Sequence, residues 1–114
     1  MIEADLFTKL APLVSNRVYP DVAPEGTAKP FITYQQRGGK AVNFLGPESS
    51  NKKNARFQIN VWSATRSEAS TLIRQIEDLM VTSPLFGNIE GGSIATYDEV
   101  TKARGAMQDF SFWS

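Results

Sequence analysis

Histidine and cysteine are both missing from this 114-residue chain. Without cysteine there is no disulfide framework, no thiolate nucleophile and no thiolate metal site, and the composition is compatible with a reducing compartment. Without histidine the commonest general base and the commonest transition-metal ligand are gone as well. The serines therefore lack the partners that usually activate them. Net charge is absent too, because twelve Lys and Arg residues balance twelve Asp and Glu residues. That balance removes the broad positive field by which nucleic-acid binders gain affinity from phosphates, so no sequence-specific nucleic-acid partner is expected. No apolar run approaches the roughly 20 residues that span a bilayer. Glu3, Asp5 and Lys9 interrupt the first fourteen residues, against a signal peptide. Neither export nor a membrane partner is expected.

What is present describes an ordinary globular chain. The apolar fraction of 41% and the charged fraction of 21% suit a single domain over residues 1–114, long enough to form a core without a staple. Ile2, Leu6, Leu10, Leu13 and Val14 recur at helical spacing, and Pro12 predicts a break followed by one further turn. Residues 15–30, with Asn16, Pro20, Pro24, Gly26 and Pro30, read as a connector without regular structure. Phe31 to Gln36 reads as a strand. Arg56 to Ser63 alternates, with Phe57, Ile59 and Val61 on one face and Arg56, Gln58, Asn60 and Trp62 on the other.

Between these strands lies a polar stretch, expected to be a flexible loop at about 38–54, with a short strand near its apolar patch Val42, Phe44 and Leu45. Thr65 and Glu68 form a capping box that opens a helix. Ala69, Leu72, Ile73, Ile76, Leu79 and Met80 give that helix an apolar stripe, and Ser83-Pro84 stops it. Ile94 to Val100 and Ala106 to Trp113 read as strands joined by a turn at Lys102 to Gly105. The predicted fold class is α+β, a mainly antiparallel sheet of four to five strands with two helices packed on one face.

Candidate chemistry is sparse. Asp98, Glu99 and Lys102 are close in sequence, but Asp98 and Glu99 are adjacent on a predicted strand and face opposite sides, as solvating charges at an edge do. Gly38 and Gly39 lack the Gly-Lys-Ser/Thr ending and the helix start of a phosphate loop. Lys52, Lys53 and Arg56 beside Phe57 make a basic cluster that reads as a solvated loop. No catalytic, cofactor-binding or metal-binding residue is assigned, no cofactor is expected, and the chain is not expected to be an enzyme. Trp62 and Trp113 differ from the other aromatics, because each falls on the pleat face away from its strand's apolar residues. With Val42, Phe44, Leu45 and the neighbouring Lys40 they are the candidate subunit or partner contacts.

The succession Arg17-Val18-Tyr19-Pro20, Pro30-Phe31-Ile32-Thr33-Tyr34-Gln35, Leu45-Gly46-Pro47 and Arg56-Phe57-Gln58-Ile59-Asn60-Val61-Trp62 resembles the small phage tail-completion family, related to tail-terminator proteins. Glu68 and Ala69 near a helix start and the closing Asp109-Phe110-Ser111-Phe112-Trp113 extend the resemblance over nearly the whole chain. The resemblance implies a structural phage or prophage protein that completes or terminates the tail tube at the virion head-tail junction, assembled in the bacterial host cytoplasm. It implies a tail-tube protein and a head-connector protein as partners. It also implies self-association into a ring, a hexamer by the family pattern, from subunits that can be monomers when isolated. The alternative from a different class is a small homodimeric ligand-binding or regulatory α+β domain, with aromatic faces lining a pocket.

Overall fold

The computed structural model describes residues 2–38 and 54–113. The first helix, α1, spans Ile2–Leu10 and buries Leu6 and Leu10. A single 3-10 turn, Ala11–Leu13, follows it, with Pro12 in the first turn, where a missing N–H costs little. The second helix, α2, spans Arg66–Met80 and buries Ala69, Leu72, Ile73, Ile76 and Met80.

Thr65 caps α2 from extended backbone, and its hydroxyl accepts the Glu68 N–H at 3.2 Å. The other half of the predicted capping box is rearranged. Ser63 supplies the hydroxyl that accepts the Thr65 N–H at 3.2 Å, and the same hydroxyl donates to the Glu68 carboxylate. Ser63 is fully buried at the end of its strand, so the cap also ties strand to helix.

Five strands form one sheet: β1 Val18–Pro20, β2 Phe31–Gln36, β3 Asn54–Ser63, β4 Asn88–Asp98 and β5 Ala103–Trp113. Their order is β1-β2-β3-β5-β4; β1 runs parallel to β2 and every other neighbour is antiparallel. The architecture is the α+β fold that the sequence predicts.

Three details differ from expectation. The connector at 15–30 contains β1, which buries Val18 and is held by the Ile32 N–H donating to Arg17 O and the Asp21 N–H donating to Tyr34 O. Three residues ending in proline carry too little alternation to announce a strand. The last hairpin turns at 99–102, earlier than expected, because the Asp98 carboxylate accepts the Val100 N–H and the Thr101 hydroxyl, both at 3.0 Å. That Asx-type turn fixes the reversal before Lys102, which takes a left-handed φ of 59°. Strand β4 also begins at Asn88, earlier than expected, because a bulge between Glu90 and Ile94 absorbs Gly91 and Gly92 without ending the strand. The short strand expected near Val42, Phe44 and Leu45 lies outside the described residues.

Both helices contribute to one core on one sheet face. Phe57, Ile59 and Val61 of β3 lie opposite Phe110, Gln108 and Ala106 of β5, and Ile32 and Tyr34 extend this face across β2. Leu6, Leu10, Ile73, Ile76 and Met80 meet it from α1 and α2. Phe110 and Phe112 are fully buried, each worth about 1.5 to 3 kcal/mol of transfer free energy. The opposite face carries no helix among the described residues.

Candidate functional site

The helix-free face is built from the alternate residues of the same strands. At one end of it, the crossover from β1 to β2, residues 21–30, folds over Phe31, Thr33, Asn60 and Trp62 and encloses a cavity of about 590 Å³. Thr33 is only 6% exposed although it faces away from the core, which measures how closely the crossover covers it. Lys29 closes the far wall: its ammonium donates to Thr101 O at 2.9 Å, tying the crossover to the β4–β5 turn across 72 residues.

Trp62 occupies this position because its cross-strand partner on β5 is Gly105. A Cβ on Gly105 would lie 2.8 Å from Trp62 Cε3 and 2.7 Å from Val61 O, so only glycine lets the ring lie across β5. Aliphatic Val22 and Pro24 line the cavity with Phe31 and Trp62, and the exposed carboxylates of Asp21 and Glu25 line it as well.

The second distinctive surface is β4. It is the outer strand on its side of the sheet, eleven residues long, with one ladder edge unpaired among the described residues. Ile89, Ile94 and Tyr97 are 43%, 56% and 44% exposed along it, and Val100 at the adjoining turn is 90% exposed. A long edge with apolar side chains is a template for pairing with another chain. The other outer strand, β1, has three residues. The guanidinium of Arg104 lies 4.3 Å from the centre of the Tyr97 ring and screens part of β4.

Of the candidate contacts read from the sequence, Lys40, Val42, Phe44 and Leu45 lie outside the described residues. Trp62 and Trp113 both lie on the helix-free face. The fold does not bring them together: Trp113 is level with Asn54 and Trp62 is eight residues further along β3, about 26 Å at roughly 3.3 Å per residue. Trp62 is half-buried against the cavity, whereas Trp113 is 41% exposed at the opposite end. Near Trp113, Arg56 pairs with Asp109 at 2.9 Å, a surface ion pair worth about 0 to 1 kcal/mol.

The Asp98, Glu99 and Lys102 group is turn architecture, with the Asp98 carboxylate committed to Val100 and Thr101. Sequence reasoning missed Val22, Phe31, Lys29 and Gly105, which meet only through long-range pairing. It also missed the β4 edge, where the exposed Ile89, Ile94 and Tyr97 were the available signal. On the core side, burial raises the pKa of Tyr34 above 10.0, reinforced by the charge and hydrogen bond of Glu3 and by the charge of Asp21.

Comparison with known proteins bears on the fold as a whole. A chain from the virion of a native gene transfer agent (GTA) particle shares the fold, with a TM-score of 0.65 over 98% of this chain and 92% of that one, at 20% identity. A second solved chain superposes with a TM-score of 0.56 over the same shares, 98% and 92%, at 10% identity. No curated protein matches the sequence. The family model described as tail completion protein gp17 matches residues 5–113, spanning most of α1, all of α2 and the whole sheet. The chain belongs to the tail completion protein gp17 family, a family of structural phage tail proteins.

Proposed function

We propose that this protein completes or terminates the tail tube as one subunit of a ring at the head-tail junction, contacting a tail-tube protein on one side and a head-connector protein on the other. The family match over residues 5–113 carries the reading. The shape of the molecule supports the ring. The two sheet edges are unequal, three residues at β1 and eleven at β4, and the longest dimension, 52 Å, is twice the next, 25 Å. Contacts between unlike surfaces are heterologous, and heterologous contacts close into rings when the rotation per subunit allows it. A hexamer follows the family pattern.

In this reading the protein acts through surfaces and performs no bond chemistry. It belongs to the virion and forms in the host cytoplasm before the tail meets the head. Lys40, Val42, Phe44 and Leu45, together with Trp62 and Trp113, are the proposed contacts. Electron microscopy of lysates from phage lacking this gene tests the role. Filled capsids beside overlong or unjoined tails are expected. Tails of normal length joined to capsids would contradict it, and infectivity should return with the intact gene but not with a gene deleted for residues 40–45.

The homodimeric ligand-binding alternative has one observation in its favour, the apolar cavity beside Trp62. It predicts a concentration-independent dimer in light scattering and normal tails in the same lysates.

A further inference from the structure

We propose that the cleft between α2 and β4 binds the crossover segment 21–25 of a neighbouring copy, pairing Arg66 and Arg74 of one subunit with Asp21 and Glu25 of the next. The inference rests on the ring reading above and names the surfaces by which subunits meet. Helix α2 packs mainly on β3 and β5, and β4 turns the small Ser93 and Ala95 toward it. A cleft of about 250 Å³ is left between helix and strand, beside the β4 edge. Arg66, Ser70 and Arg74 recur every four residues and so form one wall. The buried Ile73 and Ala106 close the floor.

The wall carries charge that nothing nearby answers. Neither Arg66 nor Arg74 makes an ion pair or hydrogen bond among the described residues, whereas Arg56 pairs with Asp109, Arg17 donates to Pro30 O and Arg104 lies over Tyr97. The two free arginines stand eight residues apart on α2, about 12 Å at 1.5 Å per residue. They call for an occupant with two anionic groups at a matching separation. Ser93 and Ala95 are both small and exposed, so such an occupant has room to lie against β4.

The chain's own carboxylates supply one such pair. Glu68 is engaged by Ser63, Glu77 by Gln108, Glu90 by Ser111 and Asp98 by its own turn. Asp21 and Glu25 are exposed and make no side-chain hydrogen bond or ion pair among the described residues. Four residues apart, they span up to about 14 Å, and Val22 between them is 78% exposed. The segment presents an apolar side chain flanked by two anions, and the cleft an apolar floor flanked by two cations. The two surfaces do not meet within one chain, because the crossover folds over the helix-free face and the cleft opens on the helix side. Unlike patches on opposite faces join head to tail, the heterologous contact that closes into a ring.

Charge reversal tests the pairing, because all four side chains are exposed and their exchange leaves the core intact. Phage lacking this gene is complemented with R66E/R74E, with D21N/E25R or with both variants co-expressed. Asparagine is chosen at position 21 because the backbone there is left-handed, with φ 62°. Unchanged thermal midpoints of the purified variants check the fold. Each variant alone sets like charges against each other at every contact, so incorporation into tails should fall at least about tenfold, or about 1.4 kcal/mol. Co-expression should restore it, since subunits alternating around the ring carry opposite charges at every contact. Undiminished incorporation of either variant alone would overturn the proposal and leave the ring reading standing. A loss that co-expression does not restore would also overturn it, and would show that these residues meet a different protein. Wild-type protein that completes tails without forming a ring would overturn both.

Neutral variants provide a second route if reversal lowers a thermal midpoint. R66Q/R74Q and D21N/E25Q remove the charges without creating like pairs. Assembly of purified wild-type protein onto tail tubes should weaken as salt is added, and both neutral variants should flatten that decline. A salt dependence equal to the wild type's in both variants would contradict the pairing.

Discussion

The two faces of β3 divide the molecule's work. Phe57, Ile59, Val61 and Ser63 are at most 2% exposed and meet the helices, while Arg56, Gln58, Asn60 and Trp62, one residue out of phase, stay partly exposed. On β5 the contrast is less strict: Phe110 and Phe112 are fully buried and Trp113 is 41% exposed, while Ser111 between them is 4% exposed, its hydroxyl donating to Glu90. One face holds the fold together. The other, with the β4 edge, carries the groups that a packed core does not need, and a protein that acts by assembly needs such a surface.

The division predicts opposite outcomes on the two faces, beginning with the largest effect. Phe110→Ala, on the helix side, should destabilise by about 3 to 5 kcal/mol in urea unfolding, as a large aromatic leaving a cavity does. A loss under 1 kcal/mol would show that the core is not where this account puts it.

Gly105→Val should cost about 1 to 3 kcal/mol by overpacking against Val61 O and Trp62, and Trp62 fluorescence should shift as the ring moves. If the emission stays unchanged, the ring does not depend on the missing Cβ.

A smaller effect concerns pH. The folded-state pKa of Tyr34 is raised from 10.0, so the folded chain holds this proton more tightly than the unfolded chain. Its contribution is fully present below pH 10 and is lost as pH rises from 10 through the folded value. Tyr34→Phe should flatten that alkaline decline in a thermal-melt series, and an unaltered slope would remove Tyr34 as its source.

The smallest stability change belongs to the exposed groups. Ile94→Lys should alter unfolding free energy by less than about 0.5 kcal/mol, and both it and Trp113→Ala should abolish incorporation into tails. Normal tails from both variants would erase the functional side of the comparison.

Elements with strong local signals are legible in the sequence. Pro12 ends α1 as expected, Thr65 caps α2, and the alternation of β3 states which residues face the core. The sites of disagreement are those that long-range contacts decide. Strand β1 exists because Arg17 O and Tyr34 O meet backbone N–H groups across a crossover, a pairing invisible in Val18-Tyr19-Pro20. The cavity was equally hidden, since residues 21–30, β3 and the last hairpin turn build it together. Trp62 was nevertheless singled out, because an indole out of phase with its strand's apolar residues already signals a second environment. The same reasoning placed Trp113 on the helix-free face but not its distance from Trp62, which depends on strand register.

Hydroxyl-radical footprinting of the free chain against the assembled tail tests the division of faces most directly. Phe7 on α1 and Trp113 on the bare face are equally exposed, 41% each, so they form a matched pair. The account predicts that Trp113, Ile94 and Tyr97 lose reactivity on assembly while Phe7 keeps it. Protection of Phe7 with Trp113 still reactive would contradict it.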